Sequence, residues 1–139
     1  METPLTDTPL TEAAIRQLDG MGLTRLAHTL GLAPTGTEGY QDLLQIPRPG
    51  VLWRPHLNKH QALDVFDGLR ERGWDTFQEY VVAPAQGNIE VLKDGLSPIG
   101  ILWGRDHHVK AEAHALLLCA VLATVLEQQA QTTTCGAMG

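Results

Sequence analysis

The stretch Trp103-Gly104-Arg105-Asp106-His107-His108-Val109-Lys110 concentrates groups able to hold an anion. A guanidinium such as Arg105 grips a phosphate or carboxylate through two parallel N–H bonds. His107 and His108 add donors when protonated, and Gly104 lets a ligand come close to the backbone. Trp103, or Trp74, supplies a ring on which a base can stack. The pattern predicts that Asp106 caps a long helix beginning at His107, and a helix start attracts anions through its unpaired N–H groups. An acidic cap also repels an anion, so a plain solvated surface is the competing reading. Arg54, between Trp53 and Pro55 and ahead of a helix start at Asn58, forms a second half-site of the same kind. Together these residues suit a small anionic, nucleotide-like ligand, provided both helix starts meet at one edge of the sheet.

Other chemistries have less support. The six histidines include His56 and His60 four apart, His107 and His114 seven apart, and His108 four residues from Glu112. Neither an HExxH motif nor a pair of CxxC motifs is present, so no metal site is assigned. A metal-dependent hydrolase using His107, His108 and Glu112 stands as a secondary alternative. Ser97, the one serine, precedes Pro98 in an expected turn and lies in no Gly-x-Ser-x-Gly elbow. No glycine-rich phosphate loop of either common type occurs. The chain therefore reads as non-enzymatic, with no catalytic residue and no cofactor assigned.

The elements that must position these residues follow from composition and periodicity. A chain of 139 residues, 43% apolar, is the size of one domain. Ten basic against 16 acidic residues give a net charge of −6, which disfavours binding to a nucleic-acid duplex. Two cysteines, Cys119 and Cys135, make no disulfide framework. No secretory pattern opens the sequence, and the apolar run at residues 115–126 is shorter than the roughly 20 residues of a membrane span. The expected location is the cytoplasm.

Residues 1–11, with the echo Thr3-Pro4-Leu5-Thr6 and Thr8-Pro9-Leu10-Thr11, read as a disordered start. Thr11 is placed as the cap of a short helix stopped by Gly20 and Gly22, and a second short helix is expected from Thr24 to Gly31. Asn58 caps a longer helix, with Gln61 at its third position and Ala62, Val65, Phe66 and Leu69 along one face. Gly73 ends it. Strands are expected at residues 74–82, 88–92 and 99–103, joined by turns too short for parallel pairing. The last helix is expected from His107 to about Gln129, with a disordered tail at 131–139, leaving a single domain at 12–130. These elements define an α+β fold, written as a three-layer α/β/α sandwich around a small, mainly antiparallel sheet. Residues 115–126 are apolar nearly all round, so that helix must be covered on more than one side. The expectation is a homo-oligomer in which a second copy supplies the missing cover. An interaction or structural module working through that helix is the main alternative to ligand binding.

Trp53-Arg54-Pro55 with Asn58, then Ala62-Leu63-Asp64-Val65-Phe66 and the close at Leu69 to Gly73, resemble the phage ABA sandwich domains of small phage and prophage proteins. Ala111-Glu112-Ala113 and the helix from Ala115 to Ala120 extend the likeness over about residues 51–127. His56-Leu57-Asn58 stands where that family has a small hydroxyl residue, so no role of that hydroxyl carries over. The resemblance implies an α/β/α sandwich and a phage origin, hence a host-cell cytoplasmic location, but no reaction. Some small phage proteins of similar build sequester nucleotide-type immune signals, and the resemblance brings that role into consideration.

Overall fold

The computed structural model describes residues 11–40, 43–45, 52–81 and 86–138. The expected disordered start at 1–11 lies outside them except for Thr11. In chain order the elements are α1 (Glu12–Arg16), α2 (Gly20–Thr29), β1 (Glu38–Tyr40), β2 (Leu43–Gln45), α3 (Lys59–Glu71), β3 (Asp75–Val81), β4 (Gln86–Leu92), β5 (Ile99–Gly104) and α4 (Glu112–Met138). This is the expected α+β class, with β3, β4 and β5 forming an antiparallel sheet in that order. β1 and β2 make a separate small hairpin.

Local chemistry explains most boundaries. Thr11 accepts the Ala14 N–H and starts α1, while Asp19 accepts the Gly22 N–H and starts α2. Gly20 and Gly22 thus lie inside the first turn of α2 instead of stopping the chain, because the Asp19 carboxylate satisfies the orphan N–H there. Asn58 caps α3 as expected, and Ala62, Val65, Phe66 and Leu69 are its buried face. Gln61 does more than close a capping box. Its amide accepts the Arg54 N–H and donates to the Leu52 carbonyl, so it clamps the approach to the helix. Gly73, at φ +94°, supplies the left-handed residue that ends α3.

α4 is the centre of the molecule. It packs against β4 and β5 on one side and against α1, α2 and α3 on the others. Leu116, Leu117, Leu118 and Val121 are fully buried, and each contributes about 1.5–3 kcal/mol by leaving water. α3 runs parallel to α4: Lys59 pairs with Glu112 near both starts at 3.0 Å, and Arg72 pairs with Glu127 near the other end at 3.1 Å.

The layers differ from the expected order. All of the helical cover lies on one side of the sheet: α4 packs on β4 and β5, α3 lies against α4 and touches β3, and α1 and α2 pack against α4. The inner face carries Ile89, Val91, Ile99, Ile101 and Trp103, all buried, whereas Phe77 and Leu102 on the other face are exposed. Strand alternation allowed helices on either face, and the sequence order did not reveal that α4 fills the middle. The all-round cover that α4 needs comes from this chain's own α1 to α3, so its apolarity calls for no second subunit. Its segment Glu112–Ala130 is long and apolar enough to cross a membrane, but 67% of that window is buried inside the fold.

Two further boundaries differ. The backbone of α4 continues to Met138, past the Gln129 expected, since adding a residue to an existing helix needs no new nucleus. Its start is Glu112, not His107. Gly104, at φ +152°, leaves β5 and donates its N–H to the Val109 carbonyl, while Trp103 and Val109 form a parallel bridge. Burying Val109 folds residues 104–109 back along the edge of β5, and that is incompatible with a helix there.

Candidate functional site

The 104–110 segment is a closed loop held from within. Lys110 Nζ donates to the carbonyls of Arg105 and His107, both at 2.9 Å, and the His107 N–H donates to the Gly104 carbonyl. Asp106 is consequently no helix cap. The loop instead presents His107 and His108 at the free edge of β5, where they meet α1.

There a cleft of about 360 Å³ opens, lined by Arg16, Gln17, His107, His108 and Val109 together with Gly100 to Leu102 of β5. Arg16 reaches it through an 84-residue separation. Its Nε bonds to Glu12 at 2.7 Å and its Nη2 to the Gly100 carbonyl at 3.3 Å, which fixes the guanidinium and leaves Nη1 with no described partner. A guanidinium, two imidazoles and the exposed edge of a strand suit an anion carrying an apolar or aromatic body.

Behind the cleft lies a histidine pair. Thr24 Oγ1 and His56 Nδ1 share a buried hydrogen bond of 2.7 Å, and a Cβ on Gly20 would sit 2.4 Å from the His56 ring. His114 Nε2 is buried without a hydrogen-bond partner. Burial holds the His56 pKa below its ordinary value, helped by the neighbouring His114 and Arg54 and opposed by Asp19. Burial likewise lowers His114, with His108 adding to the effect and Asp19 opposing it. Both rings are therefore neutral near pH 7. Cys119, buried in α4, has its thiol pushed up to about 12 by burial and is no nucleophile.

The residues singled out from sequence are divided by the structure. His107 and His108 line the cleft, and Gly104 makes the turn that places them. Trp103 does not serve as a stacking platform for a ligand. It is 5% exposed and lies under Tyr80, with ring centroids 5.6 Å apart across Gly87. Trp74 is equally buried. Arg105 is exposed but is not among the lining residues of the cleft, and its carbonyl serves Lys110. Arg54, also exposed, precedes α3 next to His56 and does not enter the cleft. The two helix starts do meet, as the Lys59–Glu112 pair shows, but the open space lies at the β5 edge and not between them. Arg16 was missed, because a lone arginine in a five-residue helix has no local signal for a contact with Gly100.

The metal alternative lacks a ligand set. Among the described residues no three His, Cys, Asp or Glu side chains converge as metal ligands, and Glu112 is engaged by Lys59. A second hollow of about 420 Å³ beside Gly73, Asp75, Lys93 and Asp94 is a poor anion site, since two carboxylates line it and Lys93 is held by Glu127 and the Arg72 carbonyl.

By architecture and site, the chain belongs to the class of small α+β proteins with a sheet covered on one face and a cationic cleft at the sheet edge. No protein family, no curated protein and no solved structure matches it.

Proposed function

We propose that this protein is a non-enzymatic binder of a small anionic, nucleotide-like ligand, held at the edge of β5 by Arg16, His107 and His108. The observation that carries this reading is the convergence of those three side chains on one 360 Å³ cleft, a size within the usual range for small-molecule sites. Arg16 supplies a guanidinium held in place by Glu12 and the Gly100 carbonyl, with Nη1 as the donor left for a ligand. His107 and His108 add imidazole nitrogens that can hydrogen-bond the ligand. The resemblance over residues 51–127 supports a phage or prophage accessory role in the host cytoplasm, with sequestration of a nucleotide immune signal as the specific form.

Calorimetric titration of the full chain with nucleoside monophosphates and cyclic dinucleotides tests the reading. A saturable isotherm is expected for at least one of them, weakened tenfold or more in Arg16→Ala. Because Arg16 is a third exposed, that variant keeps its fold. Absence of heat for every nucleotide at millimolar concentration, or an isotherm unchanged by Arg16→Ala, would overturn it.

A further inference from the structure

The face of the sheet turned away from α4 carries large apolar side chains among its acidic and polar ones, where an antiparallel sheet open to water is normally polar. Phe77 is 53% exposed there, Leu102 58%, Val81 49% and Leu92 39%. Register places them on one surface: Leu92 pairs with Asp75 beside Phe77, while Val81 and Leu102 border a common hollow. That hollow, about 190 Å³, lies between Glu79, Gln86, Asn88 and His107. An apolar cavity of roughly 150 Å³ already accommodates a benzene ring, so this one has room for a large apolar side chain.

The charges on this face have one sign. Asp75, Glu79 and Glu90 are exposed on it, and none of its strand positions is Lys or Arg. A second copy is a poor occupant, because a two-fold interface would set these carboxylates against their own images in a chain of net charge −6. Its extent points the same way. Strands of about seven residues and three strands across give a surface on the order of 300 Å², well short of the roughly 800 Å² per partner of a stable dimer. Such a surface matches one helix of about 10 Å diameter laid over the strands. The chain's own first ten residues hold Glu2 and Asp7 and no basic residue, so they do not complement it either.

We infer that the open sheet face docks an amphipathic helix of a partner protein, apolar toward Phe77 and Leu102 and flanked by Lys or Arg facing Glu79 and Glu90. Such a helix would put a helical layer on each side of the sheet. This proposal rests on a different face from the ligand cleft, although Leu102 and His107 border both.

The probe is a displayed library of helical peptides, with leucines or aromatics fixed at helical spacing and randomised flanking positions. It is selected against the full chain and, in parallel, against a Phe77→Ser/Leu102→Ser variant. Both positions are exposed, and an unchanged thermal midpoint confirms that the variant is folded. The expected result is enrichment of Lys- and Arg-flanked peptides on the natural chain, with at least tenfold weaker binding to the variant. A further charge-reversed variant, Glu79→Lys/Glu90→Lys, should switch the preference to acidic flanks. Enrichment of neutral or acidic flanks on the natural chain, or binding unaffected by the Ser substitutions, would overturn the proposal. So would a dimer of the natural chain that the Ser variant converts to monomer.

Discussion

At its carboxyl-terminal part α4 meets a matched set of charges, whereas near its amino terminus it meets neutral imidazoles and an open cleft. Glu127, with 14% of its side chain exposed, faces Arg72 Nε at 3.1 Å as an ion pair and accepts a bond from Lys93 Nζ at 2.9 Å. Arg72 also donates to Thr124 Oγ1, which in turn donates to the Ala120 carbonyl. The node ties α3, the end of β4 and α4 together and sets both carboxylate oxygens against cations of the same chain. At the other end His114 Nε2 is buried without a hydrogen-bond partner, and His108 and Arg16 line the cleft. Arg72 Nε in the node, like His114 Nε2, is buried without a hydrogen bond, but it faces the Glu127 carboxylate as an ion pair, whereas among the described residues no carboxylate pairs with His114 in that way. The groups that line the opening, Arg16 and His108, are the ones a ligand can reach.

Substitutions along α4 sharpen this contrast. In the middle of the helix, Leu117→Ala should cost about 3 kcal/mol in urea unfolding, the usual loss for a buried leucine with partial collapse of the cavity. Glu127→Ala should cost about 2 kcal/mol, less than for a fully buried pair because Arg72 and Lys93 are each about a third exposed. A loss below about 0.5 kcal/mol there would erase the distinction between the two ends.

At the histidine end the effects depend on pH. His56 and His114 have folded pKa values below 6.5, so the unfolded chain takes up protons first as the pH falls. Stability is then full above about pH 6.5, declines from there down to the depressed folded values and levels off below them. The slope is at most about 1.4 kcal/mol per pH unit for each histidine. Denaturant midpoints flat between pH 7 and 5 would contradict the burial of the pair. Thr24→Val, which strips His56 Nδ1 of its partner, should cost about 1 kcal/mol at pH 7. The smallest stability change belongs to His108→Ala, within about 0.5 kcal/mol because the residue is exposed. Its visible consequence is elsewhere: the His114 pKa should rise toward its ordinary value once the neighbouring charge is gone.

Local patterns were legible in the sequence. The Asn58 cap, the buried stripe from Ala62 to Leu69 and the left-handed Gly73 all depend on residues within a turn or two of one another, and each was read in place. The antiparallel sheet was legible for the same reason, through its short turns. What escaped was set by distant partners. The start of α4 shifted to Glu112 because Val109 is buried against the β5 edge and Lys110 staples the loop carbonyls. Trp103 moved from a stacking role into the core because Gly87 leaves space beneath it: a Cβ there would lie 2.6 Å from Trp103 Nε1. Arg16 entered the site through a contact with Gly100 that no local spacing encodes. His107 and His108 were found for their chemistry, although the helix start expected to present them is a loop.

The most direct test of the cleft is histidine-selective NMR of the full chain at pH 7 during titration with the nucleotide giving the largest calorimetric signal. The ring resonances of His107 and His108 are expected to move together along one saturable curve, with His28 and His60 unmoved. Shifts of equal size at all six histidines, or none at His107 and His108 at saturation, would contradict it.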